Sequence, residues 1–397
     1  MKTGTIIALL FASTCLAQDA AMLAAREANQ HAFELFQLFR QMTKGNFCFS
    51  PYSGHRVAAM LAEGAKGKTQ EELIAMAHLA TDAAGRAARA SALRQELSVA
   101  AGNGLILEVA NSIWAPDGHA FLPPFEKLAK EQFGALAHLL PHGDPVGSAA
   151  LVNRWIRDKT RGRIGSLVGP ASFDRNGPTV LVVNAVYLKA AWEERFDPAR
   201  TKPRVFTQGS GNISQLPTML QTSMFEYCDS EAWQCLEMRF KGAEFAMRFL
   251  LPRAEAGRAA IETALSPAAW DKVVQTSTNC EVNVMLPRFG FSTQLDLKGL
   301  WHTLGARDVF EAQKADLTAM VSQTPCWTGQ VLHEATIEVN EIGAEATAAT
   351  TAVDPFGEAP EPPKRRKVSF IANHPFLWVI QHRRTGLILF MGRFAGE

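Results

Sequence analysis

The beginning of the chain has apolar residues at helical spacing. Between residues 22 and 42 large apolar side chains recur every three or four positions, which predicts an amphipathic helix. Residues 47–53, FCFSPYS, predict a short strand that leads into a second helix, with Ser50 or Ser53 as its N-cap. The chain therefore starts with helices that need a common partner to cover their apolar faces.

A break in the second helix is expected at two glycines. Gly64 and Gly67 lower helix propensity, and the helix is predicted to restart at Thr69. Glu72 follows three residues later, so the pair would form a capping box.

Patterns typical of strands dominate the second half of the chain. Residues 179–192 are a long run of β-branched and apolar side chains, suited to a central strand buried on both faces. Residues 234–240 and 245–252 alternate, and the short polar segment between them predicts a hairpin. Further strands are predicted at 280–293, 331–340 and 386–394, and helices at 153–160 and 297–304. This order indicates an α+β fold in a single large domain.

Composition and charge narrow the class of protein. Apolar residues make up 47% of the 397 residues and charged residues 20%, which is typical of a globular chain with a sizeable core. The formal net charge of +1 gives no overall field that would attract nucleic acid or an anionic membrane. The one block of like charge is a basic run at 364–367.

Residues 1–17 have the features of a secretory signal peptide. One lysine precedes an apolar stretch of about ten residues and a small-residue cleavage site that ends at Ala17. The stretch is too short to span a bilayer, and no later run reaches the roughly 18 apolar residues of a membrane helix. We therefore expect a secreted, extracellular protein whose domain comprises residues 18–397, with no membrane span.

Cysteines, histidines and known motifs give no sign of a metal site or of catalysis. The cysteines after the leader are odd in number and scattered, which is typical of buried free thiols rather than a disulfide framework. No metal-ligand spacing occurs, so neither a metal nor another cofactor is expected. GxSxG, HExxH, P-loop and dinucleotide-binding motifs are lacking, so an enzyme is not expected. His333 lies alone in an apolar strand, where a hydrogen-bonded core histidine is the usual interpretation.

A segment of small residues, GAEATAATTAV, occupies 343–353. With the two-residue period of a strand, one face carries only alanine and threonine, and the other a single charge at Glu345. Such a segment buries little apolar area where it lies, yet it could enter a gap between strands without a clash. About a dozen inserted residues would gain on the order of 10–20 kcal/mol from ladder hydrogen bonds before the ordering cost is subtracted. The alternative is an ordinary alanine-rich linker.

Six ordered segments resemble the serpin family, and they run from about residue 22 to residue 394. The most specific is VLHEATIEVNEIGAEATAAT, which is similar to the strand and hinge that lead into the reactive-centre loop of this family. The other segments are FCFSPYSGHRVAAMLAEGAKGKTQEEL, NRWIRDKTRGRIGSLV, TVLVVNAVYLKAAWEERFDPARTKPRVF, DLKGLWHTLGARDVF and ANHPFLWVIQHRRTGLILFMGRF.

The resemblance implies three β-sheets, about nine helices and an exposed reactive-centre loop, here at about 341–367. In this family the loop baits a protease; after cleavage and acyl-enzyme formation it inserts into the central sheet and carries the protease to the far pole. The resemblance thus implies a suicide inhibitor of serine proteases, or also of cysteine proteases, bound covalently to its target. The alternative is a non-inhibitory serpin that acts as a carrier, storage protein or chaperone.

The resemblance also assigns residues to the sheet and the loop. Trp192 corresponds to the breach, where the hinge first enters the sheet, and Arg288 to a basic residue able to pair with Glu341. The shutter, beneath which the sheet opens, comprises Ser50, Ser53, Asn184 and His333. The hinge comprises Glu341, Gly343, Ala344, Glu345, Ala346, Thr347, Ala348, Ala349 and Thr350.

The position of the cleaved bond depends on the direction of counting. The spacing from the hinge usual in inhibitory serpins gives Gly357–Glu358, with Phe356 one position earlier as a candidate for a chymotrypsin-like or subtilisin-like protease. Counting back from Pro375 gives Lys364–Arg365, seven residues further on. The hinge count is favoured because the longer insertion would carry prolines, which lack the ladder donor. The alternative residues for a trypsin-like or dibasic-specific protease are Lys364, Arg365 and Arg366.

Few other partners are expected. Arg86, Arg89 and Arg94 lie near the region where some serpins bind heparin, but Glu96 dilutes the charge, so glycosaminoglycan binding is not favoured. Asn212 begins an Asn-Ile-Ser glycosylation acceptor. The expected form is a monomer that does not bind nucleic acid.

Overall fold

Most helices of the described residues come before residue 160. The computed structural model describes residues 2–101, 105–141, 143–162, 164–173, 177, 179–344 and 366–397. The helices there are α1 (Lys2–Met42), α2 (Pro51–Gly64), α3 (Gly67–Met76), α4 (Ala83–Ala101), α5 (Pro123–Phe133), α6 (Pro145–Lys159), α7 (Arg258–Ala264), α8 (Pro267–Thr276) and α9 (Lys298–Thr303).

The strands of the described residues form two hydrogen-bonded sheets. They are β1 (Phe47–Phe49), β2 (Leu105–Pro116), β3 (Ala135–Leu140), β4 (Thr179–Ala191), β5 (Lys202–Thr207), β6 (Ile213–Asp229), β7 (Trp233–Arg239), β8 (Phe245–Pro252), β9 (Thr278–Pro287), β10 (Phe289–Asp296), β11 (Trp327–Val339), β12 (Gly343–Ala344), β13 (Lys367–Ile371), β14 (Phe376–His382) and β15 (Ile388–Phe394). The α+β fold predicted from the sequence is confirmed.

The six-stranded sheet has the order β10-β11-β12-β4-β2-β3. Its centre is β4, which is buried along nearly its whole length because α6 packs on one face, and α2 and the second sheet lie on the other. Next to it, β11 runs parallel to β4 and pairs with it directly, while the short β12 lies between them at one end. This arrangement positions the candidate site.

The nine-stranded sheet explains how three expected sheets become two. Its order is β1-β15-β14-β8-β7-β6-β9-β13, with β5 on β6. The 17-residue strand β6 pairs with β5 and β9 along most of its length and with β7 near its end. Because one continuous strand serves both groups of neighbours, hydrogen bonding joins two of the three expected sheets.

Several element boundaries agree with the sequence patterns. Residues 22–42 lie in α1, and this helix continues back to Lys2, through the predicted leader. The Ser50 hydroxyl accepts from the main-chain N–H of Ser53 at 3.3 Å and so caps α2, which ends at Gly64 as predicted. The predicted hairpin is β7–β8.

Two sequence expectations are wrong. The capping box does not form, because α3 begins at Gly67 rather than at Thr69. The side chains of Thr69 and Glu72 instead accept hydrogen bonds from residues far away in the sequence. The Thr69 hydroxyl accepts from the N–H of Asp316 at 3.0 Å, and Glu72 accepts from that of Asp308 at 2.8 Å. The predicted strand 280–293 is two strands, β9 and β10, because the chain passes from one sheet to the other between them.

Candidate functional site

The first residues of the small-residue segment lie between β11 and β4. Ala344 pairs with Val339 of β11 and with Ala190 of β4, and Gly343 pairs with Ala191, all antiparallel. Further along the seam, β11 and β4 are directly paired from Trp327 opposite Thr179 to Thr336 opposite Tyr187. Within the described residues, the predicted hinge therefore enters the sheet with Gly343 and Ala344, at one end of the β11–β4 seam.

Gly343 allows the hinge to approach β4 closely. A Cβ atom there would lie 2.0 Å from the carbonyl oxygen of Ala190 and 2.6 Å from Cα of Ala191. Both atoms belong to the backbone of β4 and could not move aside, so the position requires glycine. Ala344 is completely buried and faces the apolar cluster beneath the sheet. The rest of the predicted hinge lies outside the described residues, namely Glu345, Ala346, Thr347, Ala348, Ala349 and Thr350.

Trp192 holds the chain just before the hinge. Its main-chain N–H donates to the carbonyl of Ile342 at 2.8 Å, and its indole Nε1–H donates to that of Asn340 at 2.9 Å. The buried indole stacks on Phe240 with ring centroids 4.7 Å apart. The residue assigned to the breach thus contacts the turn from which the hinge starts.

Glu341 is anchored next to this turn. Its Oε2 lies 3.5 Å from Nε of Arg288, and its Oε1 accepts from the hydroxyl of Thr201 at 2.6 Å. The Arg288 side chain is half exposed, so solvent weakens the ion pair, whereas the Thr201 bond is less exposed. The pairing considered from the sequence is present in the structure.

The four residues assigned to the shutter form one buried hydrogen-bond network. His333 of β11 accepts at Nε2 from the N–H of Ser50 at 3.0 Å, and its Nδ1 lies 2.5 Å from Oδ1 of Asn184 on β4. The Nδ2 of Asn184 donates to the Ser53 hydroxyl at 2.5 Å and to Oδ1 of Asn111 at 2.5 Å. The network therefore joins α2 to both sides of the β4–β11 seam.

Its geometry fixes the state of His333. Because Nε2 accepts, the single proton of the neutral ring is on Nδ1 and is donated to Asn184. Burial lowers the pKa of His333 to about 3. Asn111 of β2 completes the network, and the sequence analysis missed it; a polar residue in the apolar strand 109–115 was the available signal.

Arg366, near the far end of the predicted reactive-centre loop, is held by two contacts. Its Nη2 donates to both carboxylate oxygens of Asp229 at 3.0 and 2.9 Å, and its guanidinium lies 5.6 Å from the ring centroid of Tyr227. Its carbonyl accepts from the N–H of Glu281 at 3.0 Å, where β13 begins beside β9. The other candidates for the cleaved bond lie outside the described residues, namely Phe356, Gly357, Glu358, Lys364 and Arg365.

The candidate heparin arginines are already engaged. Arg86 is buried against Glu63, and Arg89 pairs with Glu27. Arg94 is exposed, and it donates to the carbonyls of α5. Asn212 lies exposed at the turn between β5 and β6, a position that an oligosaccharide could occupy.

In the described ranges the structure has no candidate for a membrane-spanning helix or for a metal site. Among these residues no helix is both long and apolar enough to cross a bilayer. Within the same ranges no three histidine, cysteine, aspartate or glutamate side chains come together as a metal site would require.

Comparisons with known proteins agree on one family. The family model for serpins, serine protease inhibitors, matches residues 26–396. Glia-derived nexin of Mus musculus is 30% identical over 367 residues, which cover 90% of this chain and 90% of the nexin. Serpin48, a highly specific serpin of the insect Tenebrio molitor, superposes with a TM-score of 0.83 and 26% identity over 94% of this chain and 98% of its own. The chain belongs to the serpin family.

The fold is also found in a relative solved with a small molecule. Thyroxine-binding globulin, solved in complex with thyroxine, has a TM-score of 0.82 and 21% identity over 94% of this chain and 98% of its own. At this identity the likeness concerns the fold alone.

Proposed function

We propose that the protein is a secreted suicide inhibitor of serine proteases, and that it traps the acyl-enzyme by inserting its cleaved loop between β11 and β4. The observation that carries this proposal is the position of Gly343 and Ala344. Ala344 already pairs with both strands and Gly343 with β4, and these two residues begin the small-residue segment.

Insertion would change the pairing of the central sheet in a defined way. The intact chain has one parallel seam between β11 and β4, whereas an inserted strand continuing β12 would pair antiparallel with each of them. One seam would be lost and two formed. For about ten inserted residues the net gain is on the order of 10 kcal/mol, at about 1 kcal/mol per hydrogen bond, before the cost of ordering the loop.

Small side chains would keep the barrier to insertion low. Ala344 faces the buried cluster, so a strand that continues with a period of two directs Ala346, Ala348, Thr350 and Ala352 to the same face. None of these requires a new cavity. Insertion can then compete with hydrolysis of the acyl bond, which is what separates an inhibitor from a substrate.

We propose Gly357–Glu358 as the cleaved bond, with Phe356 as the neighbouring alternative. Arg366 supports this choice against the basic alternatives, because its guanidinium is held by Asp229 and its backbone already joins β13. A protease would have to displace these contacts to use Arg366. Cleavage at Lys364–Arg365 would also require a longer inserted strand with three more prolines, Pro360, Pro362 and Pro363, besides the Pro355 that both choices include.

The experiment is a panel of chymotrypsin-like, subtilisin-like and trypsin-like serine proteases and a papain-like cysteine protease. An inhibitor gives a covalent complex that survives boiling in detergent, and mass spectrometry of the released C-terminal fragment identifies its first residue as Glu358. Ala348→Arg should convert inhibitor to substrate, because a guanidinium would have to enter the buried face; Ala348→Ser is the matched control and should retain the complex.

The alternative is a non-inhibitory serpin that acts as a carrier, storage protein or chaperone. Cleavage of the loop by every protease of the panel without a stable complex would favour it and contradict the proposed inhibition. Secretion is tested separately, by expression of the full chain in a secreting host and N-terminal sequencing of the exported protein, for which Gln18 is the expected first residue.

A further inference from the structure

Two cysteines lie directly opposite each other on neighbouring strands. In the β6–β7 pairing the register places Cys228 against Cys235, so their side chains project from the same face of the sheet. Both side chains are buried, with 5% and 1% of their surface exposed, and both belong to the same apolar cluster. The function proposed above makes no use of either thiol.

The thiols are in contact with each other and with α8. The Cys228 Sγ lies 3.3 Å from the carbonyl of Val273 and 3.4 Å from the hydroxyl of Ser277. A hydrogen bond from the Cys235 thiol, assisted by one from Ser277, lowers the pKa of Cys228 to about 6 despite its burial. In the folded hairpin these contacts favour the thiolate of Cys228 over that of Cys235.

The other cysteines of the described residues are placed differently. Cys48 is on β1 and Cys280 on β9, and both pack in the second apolar cluster. Cys326 precedes β11 of the six-stranded sheet. The strand register therefore singles out one pair.

We propose that Cys228 and Cys235 form a cross-strand disulfide when the protein folds in the presence of a low-molecular-weight disulfide such as oxidised glutathione. The Cys228 thiolate attacks one sulfur of that disulfide and releases the first thiolate. The Cys235 thiolate then attacks Cys228 in the mixed disulfide and releases the second. The two protein thiols are oxidised, the small disulfide is reduced to two thiols, and these take up the two protons.

The step belongs to folding because α8 covers the pair in the folded protein. The resulting bond is also expected to be easy to reduce. The N–H of Ser230 donates to the carbonyl of Trp233 at 2.8 Å, so in the alternating antiparallel pattern Cys228 and Cys235 are a hydrogen-bonded pair. Opposite Cβ atoms are about 4.5–5.5 Å apart, wider than the roughly 3.5–4.5 Å of an ordinary disulfide, so closure strains the hairpin.

The hairpin that would be cross-linked also holds the far end of the reactive-centre loop. Asp229, next to Cys228, binds Arg366, and the amide of Gln234, next to Cys235, donates to the carbonyl of Ser369 at 3.3 Å. The disulfide thereby stiffens the platform on which β13 rests, and links the redox state of the protein to the anchoring of its loop.

The test is to refold the reduced, denatured chain in a glutathione redox buffer and to block remaining thiols with iodoacetamide. Digestion after glutamate separates residues 227–231, with Cys228, from 232–237, with Cys235, because Glu231 lies between them. The two peptides are expected as one disulfide-linked species that dithiothreitol separates. Recovery of both as singly alkylated peptides, or linked to another cysteine, would overturn the proposal.

Two variants and a second oxidation protocol test the same disulfide even if the yield of refolded protein is low. Cys228→Ser should leave Cys235 open to alkylation, whereas Cys326→Ser, the matched control, should leave the linked species unchanged. If refolding is poor, the folded protein is treated with oxidised glutathione in mild denaturant and digested in the same way. Hydrogen exchange in 367–371 should be slower in the oxidised form than in the reduced form; equal rates would contradict the link to β13.

Discussion

His333 is held neutral by what surrounds it. Its one ring proton is donated to Asn184 and its other nitrogen accepts from Ser50, so a second proton would face a donor. Burial lowers its pKa to about 3, from 6.5 in the unfolded chain. Below pH 6.5 the unfolded state therefore binds more protons at this residue than the folded state does. The contribution of His333 to the unfolding free energy is complete above pH 6.5 and decreases as the pH falls toward 3.

We predict that His333→Gln reduces the loss of unfolding free energy on going from pH 7 to pH 5. The shift in pKa implies that His333 alone accounts for about 2 kcal/mol of the loss in unfolding free energy between pH 7 and pH 5. Urea unfolding at both pH values should therefore show a difference smaller by about that amount in the variant. The exposed His302→Gln is the control and should leave the difference unchanged; equal pH dependence in wild type and His333→Gln would contradict the assignment.

Residue roles in the shutter depended on a family resemblance and could not come from pattern alone. An alternating or apolar strand does not say which of its polar side chains meet, because the contacts join β2, β4, β11 and α2 across long stretches of sequence. Asn111 shows this limit, since it completes the network from a strand that the patterns did not predict.

At the scale of elements, β12 depends on the absence of a side chain at Gly343. We predict that Gly343→Ala keeps the hinge out of the sheet, because its Cβ would lie 2.0 Å from the Ala190 carbonyl oxygen. The Trp192 indole would lose its fixed contact with the chain before the hinge, so its fluorescence should change. The variant should also give less detergent-stable complex with a protease that wild type traps.

The matched control for this variant is Gly299→Ala. Gly299 lies in α9, and a Cβ there would meet no atom within 4 Å. This substitution should leave the fluorescence and the complex yield unchanged. Full complex formation by Gly343→Ala would mean that the hinge reaches the sheet by another path.

Helices and strands could be predicted where the burial of apolar side chains alone determines the local pattern. The strand β4 was evident because thirteen consecutive residues suit burial on both faces. The break between β9 and β10 was not, because strand-like residues lie on both sides of Arg288. The N–H of Arg288 still donates to the carbonyl of Pro217 on β6 at 2.8 Å, in the nine-stranded sheet, and the next residue already begins β10 of the six-stranded sheet. Periodicity reports which face is buried, but not against which partner.

At the scale of the whole molecule, the proposed insertion would add a strand to the six-stranded sheet. The seam between β11 and β4 is directly paired over most of its length, and among the described residues of the predicted hinge Gly343 and Ala344 have entered it. The loop is held at both ends, by the Trp192 and Glu341 contacts at the hinge and by Asp229 at Arg366. Under the proposed mechanism, cutting the loop would free the hinge end to follow Ala344 into the sheet.

We therefore predict that nicking the loop stabilises the protein. A protease that cuts the loop without being trapped should raise the thermal unfolding midpoint by about 10 °C or more, since on the order of 10 kcal/mol is gained and a chain of this size has a large unfolding entropy. Differential scanning calorimetry of intact and nicked protein measures the shift. Nicked Ala348→Arg is the control for insertion: its guanidinium would have to enter the buried face, so its midpoint should stay near that of the intact chain. An unchanged midpoint in nicked wild type would mean that the segment after Ala344 stays outside the sheet, whatever protease has cut it.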